Sequence, residues 1–112
     1  MEIYSIPDIN QLRNTVISKM RLFSDSSGNR VFTNSELFNL SQIGISYLSR
    51  NSISRHGLTT NLDKSKRISN RNCSVRLNRN LFQEEYIDYA EFVLFHEYIH
   101  CLGNLLITRI SV

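Results

Sequence analysis

From Gln83 to Leu102 the chain contains neither glycine nor proline, and Gly103 follows at once. Such a stretch reads as one helix over 83–102, with Glu84 and Glu85 in its first turn and a glycine in the C′ position that commonly ends helices. It is the longest element the pattern supports. The whole chain has 112 residues, enough for one domain with a modest core but not for two. We therefore expect a single domain over 1–112.

The remaining segments are shorter. Ile9, Leu12, Val16, Ile17, Met20 and Phe23 recur at helical spacing, predicting a helix over 8–22 capped by Ser5 or Asp8, with Pro7 tolerated at its start. The polar run Ser24–Asn29 reads as a loop, after which Asn34 or Ser35 opens a second helix through Leu37, Phe38 and Leu40. From Ile43 the period changes to two (Ile43, Ile45, Tyr47), predicting a strand. Residues 51–71 are rich in Ser, Asn and Arg and read as a hairpin with a long turn around Asp63–Arg71. Cys73–Asn78 alternates again and is the best strand candidate. The tail Asn104–Val112 is apolar and expected to pack, against this chain or a second copy.

Within the long helix lies His96-Glu97-Tyr98-Ile99-His100. Positions four apart stand one turn above each other on the same helix face, so His96 and His100 present two imidazoles to one ion. Zinc suits that donor set, being a Lewis acid without redox chemistry of its own. Glu97, beside the first ligand, is placed to take a proton from an activated water, the general-base role in metal-assisted hydrolysis. Tyr89, Phe92 and Val93 precede His96 by seven, four and three residues, so the histidine face is expected to be the buried one.

Charge is unevenly distributed. Arg50–Arg79 holds eight basic residues against Asp63 alone, whereas Glu84–Glu97 holds five acids and no base. Either this is a solvated basic face beside an acidic helix, or the 50–79 segment holds nucleic acid or an acidic polypeptide. No apolar run approaches the length needed to span a bilayer. Met1-Glu2-Ile3-Tyr4 lacks the pattern of a signal peptide, and two cysteines are too few for a disulfide framework. Cys73 and Cys101 are accordingly expected as buried free thiols in a reducing, cytoplasmic setting.

The stretch Cys73–Asn80, Leu81-Phe82 and Tyr89–Gly103, with Gly57-Leu58-Thr59-Thr60 before it, resembles the strand–turn–helix module of SprT-like and minimal gluzincin metallopeptidases, the small archaeal minigluzincins among them. The resemblance covers roughly residues 43–103, and HExxH is its one specific element. It implies an α+β minimal zincin fold: a small antiparallel three-stranded sheet packed on two or three helices, one of them the HExxH zinc helix. It further implies zinc-dependent cleavage of a polypeptide substrate, with Cys73–Asn78 as a rim strand that pairs with extended substrate. Some small members of the family are zymogens, so a latent form is among the expectations, as is a non-catalytic domain binding nucleic acid through 50–79.

The sequence departs from the family beyond the motif. No Asp, Glu or His follows His100, and Leu106 stands where the metzincin pattern has its third His. A third ligand would have to come from His56, Asp63 or Cys73 upstream, from the Val112 carboxylate, from a second copy, or from beyond a truncated chain. Cys101 lies about 100° around the helix from His100. A cysteine acting as an inhibitory zinc ligand is the lesser alternative to a free thiol. His56 reads as a plain hairpin residue, Glu91 as a solvated one, and Tyr89 and Tyr98 as packing residues.

Overall fold

A computed structural model describes residues 6–49, 55–61 and 73–103. The chain forms helix α1 (Ile9–Arg21), helix α2 (Asn34–Gln42), strands β1 (Gly44–Tyr47), β2 (Gly57–Asn61) and β3 (Cys73–Leu77), a 3-10 turn at Arg79–Leu81, and helix α3 (Ile87–Leu102). Of the two expected caps, Asp8 opens α1, in a reciprocal capping box with Gln11. The second helix is capped one or two residues earlier than expected. Thr33 Oγ1 accepts from the Glu36 N–H while the Glu36 carboxylate accepts from the Thr33 N–H, so Thr33 takes the place assigned to Asn34 or Ser35. Asp25 closes the polar loop by accepting from the Ser27 and Asn29 N–H groups, with Gly28 at φ 85°.

The long helix starts at Ile87, four residues later than the pattern predicts. Gln83 belongs instead to the preceding turn: its side chain donates to the Asn80 carbonyl and its own carbonyl accepts from the Tyr86 N–H. The other end is as expected, with Gly103 at φ 71° and its N–H on the Ile99 carbonyl.

The three strands form one sheet in the order β1-β3-β2. β2 pairs antiparallel with β3, but β1 pairs parallel with it, so the sheet is mixed rather than antiparallel. The cause is the path of the chain. β1 ends, and β2 begins, opposite Leu77. Both of these strand ends therefore lie beside the C-terminal end of β3, and β2 runs against the direction of β1. A hairpin partner of β2 inserted between the two must run parallel to β1. Cys73, Val75 and Leu77 point into the core, where they meet Leu12, Val16 and Met20 of α1, Leu37 and Leu40 of α2, and Ala90, Leu94 and Tyr98 of α3. Phe23, Phe32 and Phe95 close one end of this core, ring centroids 6.1–6.3 Å apart.

Cys73 and Cys101 are joined in a disulfide, with Cα atoms 6.1 Å apart. This corrects the expectation of free thiols, and it removes the thiol argument for a reducing compartment. The reason is tertiary: β3 and α3 pack face to face, and the first residue of the strand meets the last turn of the helix within ordinary bridging distance. Both residues are buried, as expected. Among the described residues no helix is long and apolar enough to cross a membrane. The tail beyond Gly103 and the turn around Asp63–Arg71 lie outside the described residues.

The bridge spans 28 residues, for which loop-closure entropy contributes about 3.5 kcal/mol. Urea unfolding of Cys101→Ser is expected to show a stability loss of about that size. A loss below about 1 kcal/mol would mean that the bond does not staple helix to sheet.

Candidate metal centre

The two histidines of the motif come together. His96 Nε2 and His100 Nε2 lie 3.1 Å apart, with ring centroids 4.7 Å apart and planes at 81°. Two nitrogens on one tetrahedral zinc, each about 2.0–2.1 Å from it, stand about 3.3 Å apart. The observed spacing and the paired imidazoles therefore fit two positions of a zinc site.

Both rings are exposed, which corrects the expectation that this face is buried. Tyr89, Phe92, His96 and His100 form an outward stripe, with Phe92 60% exposed and Tyr89 43%. The inward stripe is Ala90, Val93, Leu94, Glu97, Tyr98, Cys101 and Leu102. The spacing argument failed because α3 carries apolar residues nearly all round, so periodicity does not select a face.

Glu97 is on the other side of that border. It is the one buried carboxylate among the described residues, 6% exposed, and β2 lies directly on it. Thr59 Oγ1 stands 3.0 Å from the Glu97 carbonyl and 3.2 Å from its Oε2, able to donate its proton to either. Gly57 permits the approach. A Cβ there would sit 2.9 Å from Val93 Cγ1 and 3.0 Å from Glu97 Cγ. A strand glycine is a recognised sign of close backbone approach, yet neither Gly57 nor Thr59 stood out as a site residue in the sequence.

The remaining candidates separate from the pair. His56 does not join it. Its Nδ1 is 2.9 Å from the Tyr89 hydroxyl, with the two rings at 88°, and Tyr89 is two turns, about 10 Å, from His96 along α3. Tyr89 is thus an exposed hydrogen-bonding partner rather than a packing residue. Cys73 and Cys101 are bonded to each other and offer no thiolate. Asp63 and Val112 lie outside the described residues. Among the described residues no group of three or more His, Cys, Asp or Glu side chains is placed to hold a metal.

Tyr98 packs as expected. It is fully buried, its hydroxyl has no partner among the described residues, and burial pushes its pKa well above the ordinary phenol value. Glu91 is not simply solvated, since it accepts from Lys19 Nζ at 2.7 Å and this bond raises the lysine pKa. Of the basic segment, Arg55, Arg76 and Arg79 are described and exposed, Arg79 lying 4.6 Å over the Tyr47 ring.

Comparison of the chain with family models, with curated proteins and with solved structures finds no match in any of the three.

Gly57→Ala is expected to destabilise the fold by about 1–3 kcal/mol, because the added methyl meets packed carbon on α3. Thermal unfolding beside Gly44→Ala checks this, since a Cβ at Gly44 finds its nearest neighbour at an ordinary 3.7 Å. Equal effects at the two glycines would refute the close-contact account.

Proposed function

We propose that the chain is a zinc-dependent metallopeptidase domain, with His96 and His100 as metal ligands and Glu97 as general base. The observation that supports this most is one juxtaposition. Two imidazole nitrogens converge to 3.1 Å on the open face of α3, while the next residue, Glu97, is held beneath the edge of the sheet. A bound zinc ion would supply the Lewis acid that polarises a carbonyl and makes water nucleophilic near neutral pH.

The chain's own groups do the rest. Glu97 takes the proton of the attacking water and delivers it to the leaving amine nitrogen as the peptide bond breaks. Thr59, donating to the Glu97 carboxylate or carbonyl, restricts where that carboxylate points. Extended substrate needs a free strand edge. The expected rim strand, Cys73–Asn78, is excluded from that part because β3 is central and paired on both sides. β2 takes its place, with no partner on its outer edge among the described residues. A third ligand, on this reading, comes from Asp63, the Val112 carboxylate, a second copy or a segment beyond this sequence, and until it is engaged the domain is latent.

Elemental analysis of the purified protein is expected to find about one zinc per chain, lost in His96→Ala. Glu97→Gln is expected to keep the metal and to lose on the order of 10²–10⁴ in peptide hydrolysis. No zinc after loading and removal of excess would end the metallopeptidase reading. Undiminished hydrolysis in Glu97→Gln would take the base role from this residue.

A further inference from the structure

Beside the motif, beyond the start of β2, lies an open cleft of about 830 Å³ lined by His56, Asn80, Leu81, Gln83, Tyr86 and Tyr89. Its walls are tied together. The Asn78 side chain, also on the lining, donates to the Arg55 carbonyl at 3.0 Å and accepts from the Asn80 N–H at 2.9 Å. Asn78 N–H donates to the His56 carbonyl, Gln83 Nε2 to the Asn80 carbonyl, and the Tyr89 hydroxyl meets His56 Nδ1. A cleft cross-braced in this way keeps its shape without a ligand, which lowers the ordering cost of filling it.

The lining has a definite chemistry. It offers two tyrosine rings, an imidazole, carboxamide groups and Leu81, and among the described residues no carboxylate, lysine or arginine side chain lines it. A charged group entering it would lose water without gaining a counter-charge. A planar group finds faces to stack on, and one with a polar edge also finds amide partners.

The cleft is also in line with the motif. β2 and α3 run in the same sense: His56 meets Tyr89, Gly57 abuts Val93 and Glu97, and Thr59 meets Glu97. A polypeptide paired antiparallel to the outer edge of β2, the more stable pairing, runs its C-terminal side toward His56. From His96 to Tyr89 is about 10 Å of helix, which an extended chain covers in about three residues.

We infer that the cleft is a side-chain pocket for an uncharged aromatic residue with a hydrogen-bonding edge, tyrosine or tryptophan, about three residues C-terminal to the bond that is cut. This rests on the metallopeptidase reading for its register, but the pocket's preference is measurable without turnover. His56 and Tyr89 are its specificity-determining residues: Tyr89 supplies the stacking face, and His56 fixes the tyrosine through its hydroxyl.

The test is selection of a randomised ten-residue peptide library on the immobilised full chain carrying Glu97→Gln, with and without added zinc. Bound peptides are expected to share tyrosine or tryptophan at one position. Affinity of the best peptide is expected to fall about two- to tenfold in Tyr89→Ala and in His56→Ala, the worth of one aromatic contact, with circular dichroism unchanged. Tyr89→Phe, which keeps the ring and loses the hydroxyl, should fall between. Absence of bound peptides, the same peptides on Tyr89→Ala, or a preference for a charged residue would each overturn the pocket. So would tighter binding of fluorescent dinucleotides than of any peptide. Zinc loading, measured on the same samples, fails or succeeds separately, so loss of the metal reading is not confused with loss of this one.

Discussion

The contact between Gly57 and the middle of α3 is the constraint on which the other features depend. It brings the edge strand within van der Waals reach of Val93 and Glu97, so a glutamate on the inward face lies beneath the strand with only 6% of its surface exposed. With that strand in place, Thr59 lands on Glu97 and His56 on Tyr89. The helix turns its other side outward, and the imidazoles on that side are the part of the motif that solvent reaches. One residue without a side chain therefore sets the distance between sheet and helix from which the rest of the geometry follows.

Much of the architecture was legible in the sequence, for reasons that differ by element. α1 could be read because its five buried residues keep a clean helical spacing against polar neighbours. β3 could be read because alternation survives at Cys73, Val75 and Leu77. The cap of α2 was misplaced by one or two residues because Thr33, Asn34 and Ser35 are all good capping types, and only the reciprocal bond to Glu36 distinguishes them. The direction of β1 was not legible, since a period of two marks a strand and says nothing of its partner. The outward face of α3 was hidden by apolar residues on nearly every side of that helix.

The candidate site divides in the same way. His96, Glu97 and His100 stand out because a helix places them by arithmetic. Gly57, Thr59, His56 and Tyr89 gain their roles from contacts between residues 33 to 40 apart in the chain, which no local pattern encodes. The disulfide belongs with these: two cysteines at a separation of 28 carry no sign of pairing until strand and helix are laid together. It also ties the last turn of α3, where His100 sits, to the first residue of the central strand.

The order of the strands has a consequence for how such a chain comes into being. The central strand is the last of the three to be made, so β1 and β2 leave the ribosome with the place between them empty. Neither can pair in its native way until Cys73–Leu77 arrives, and the roof over Glu97 has nothing to rest on until α3 follows. Local helices can form early, but sheet and site are assembled together, late, from elements spread over residues 44–102. Any partner or proteolytic cut that intercepts the emerging chain before that moment meets two unpaired strands and no centre at all.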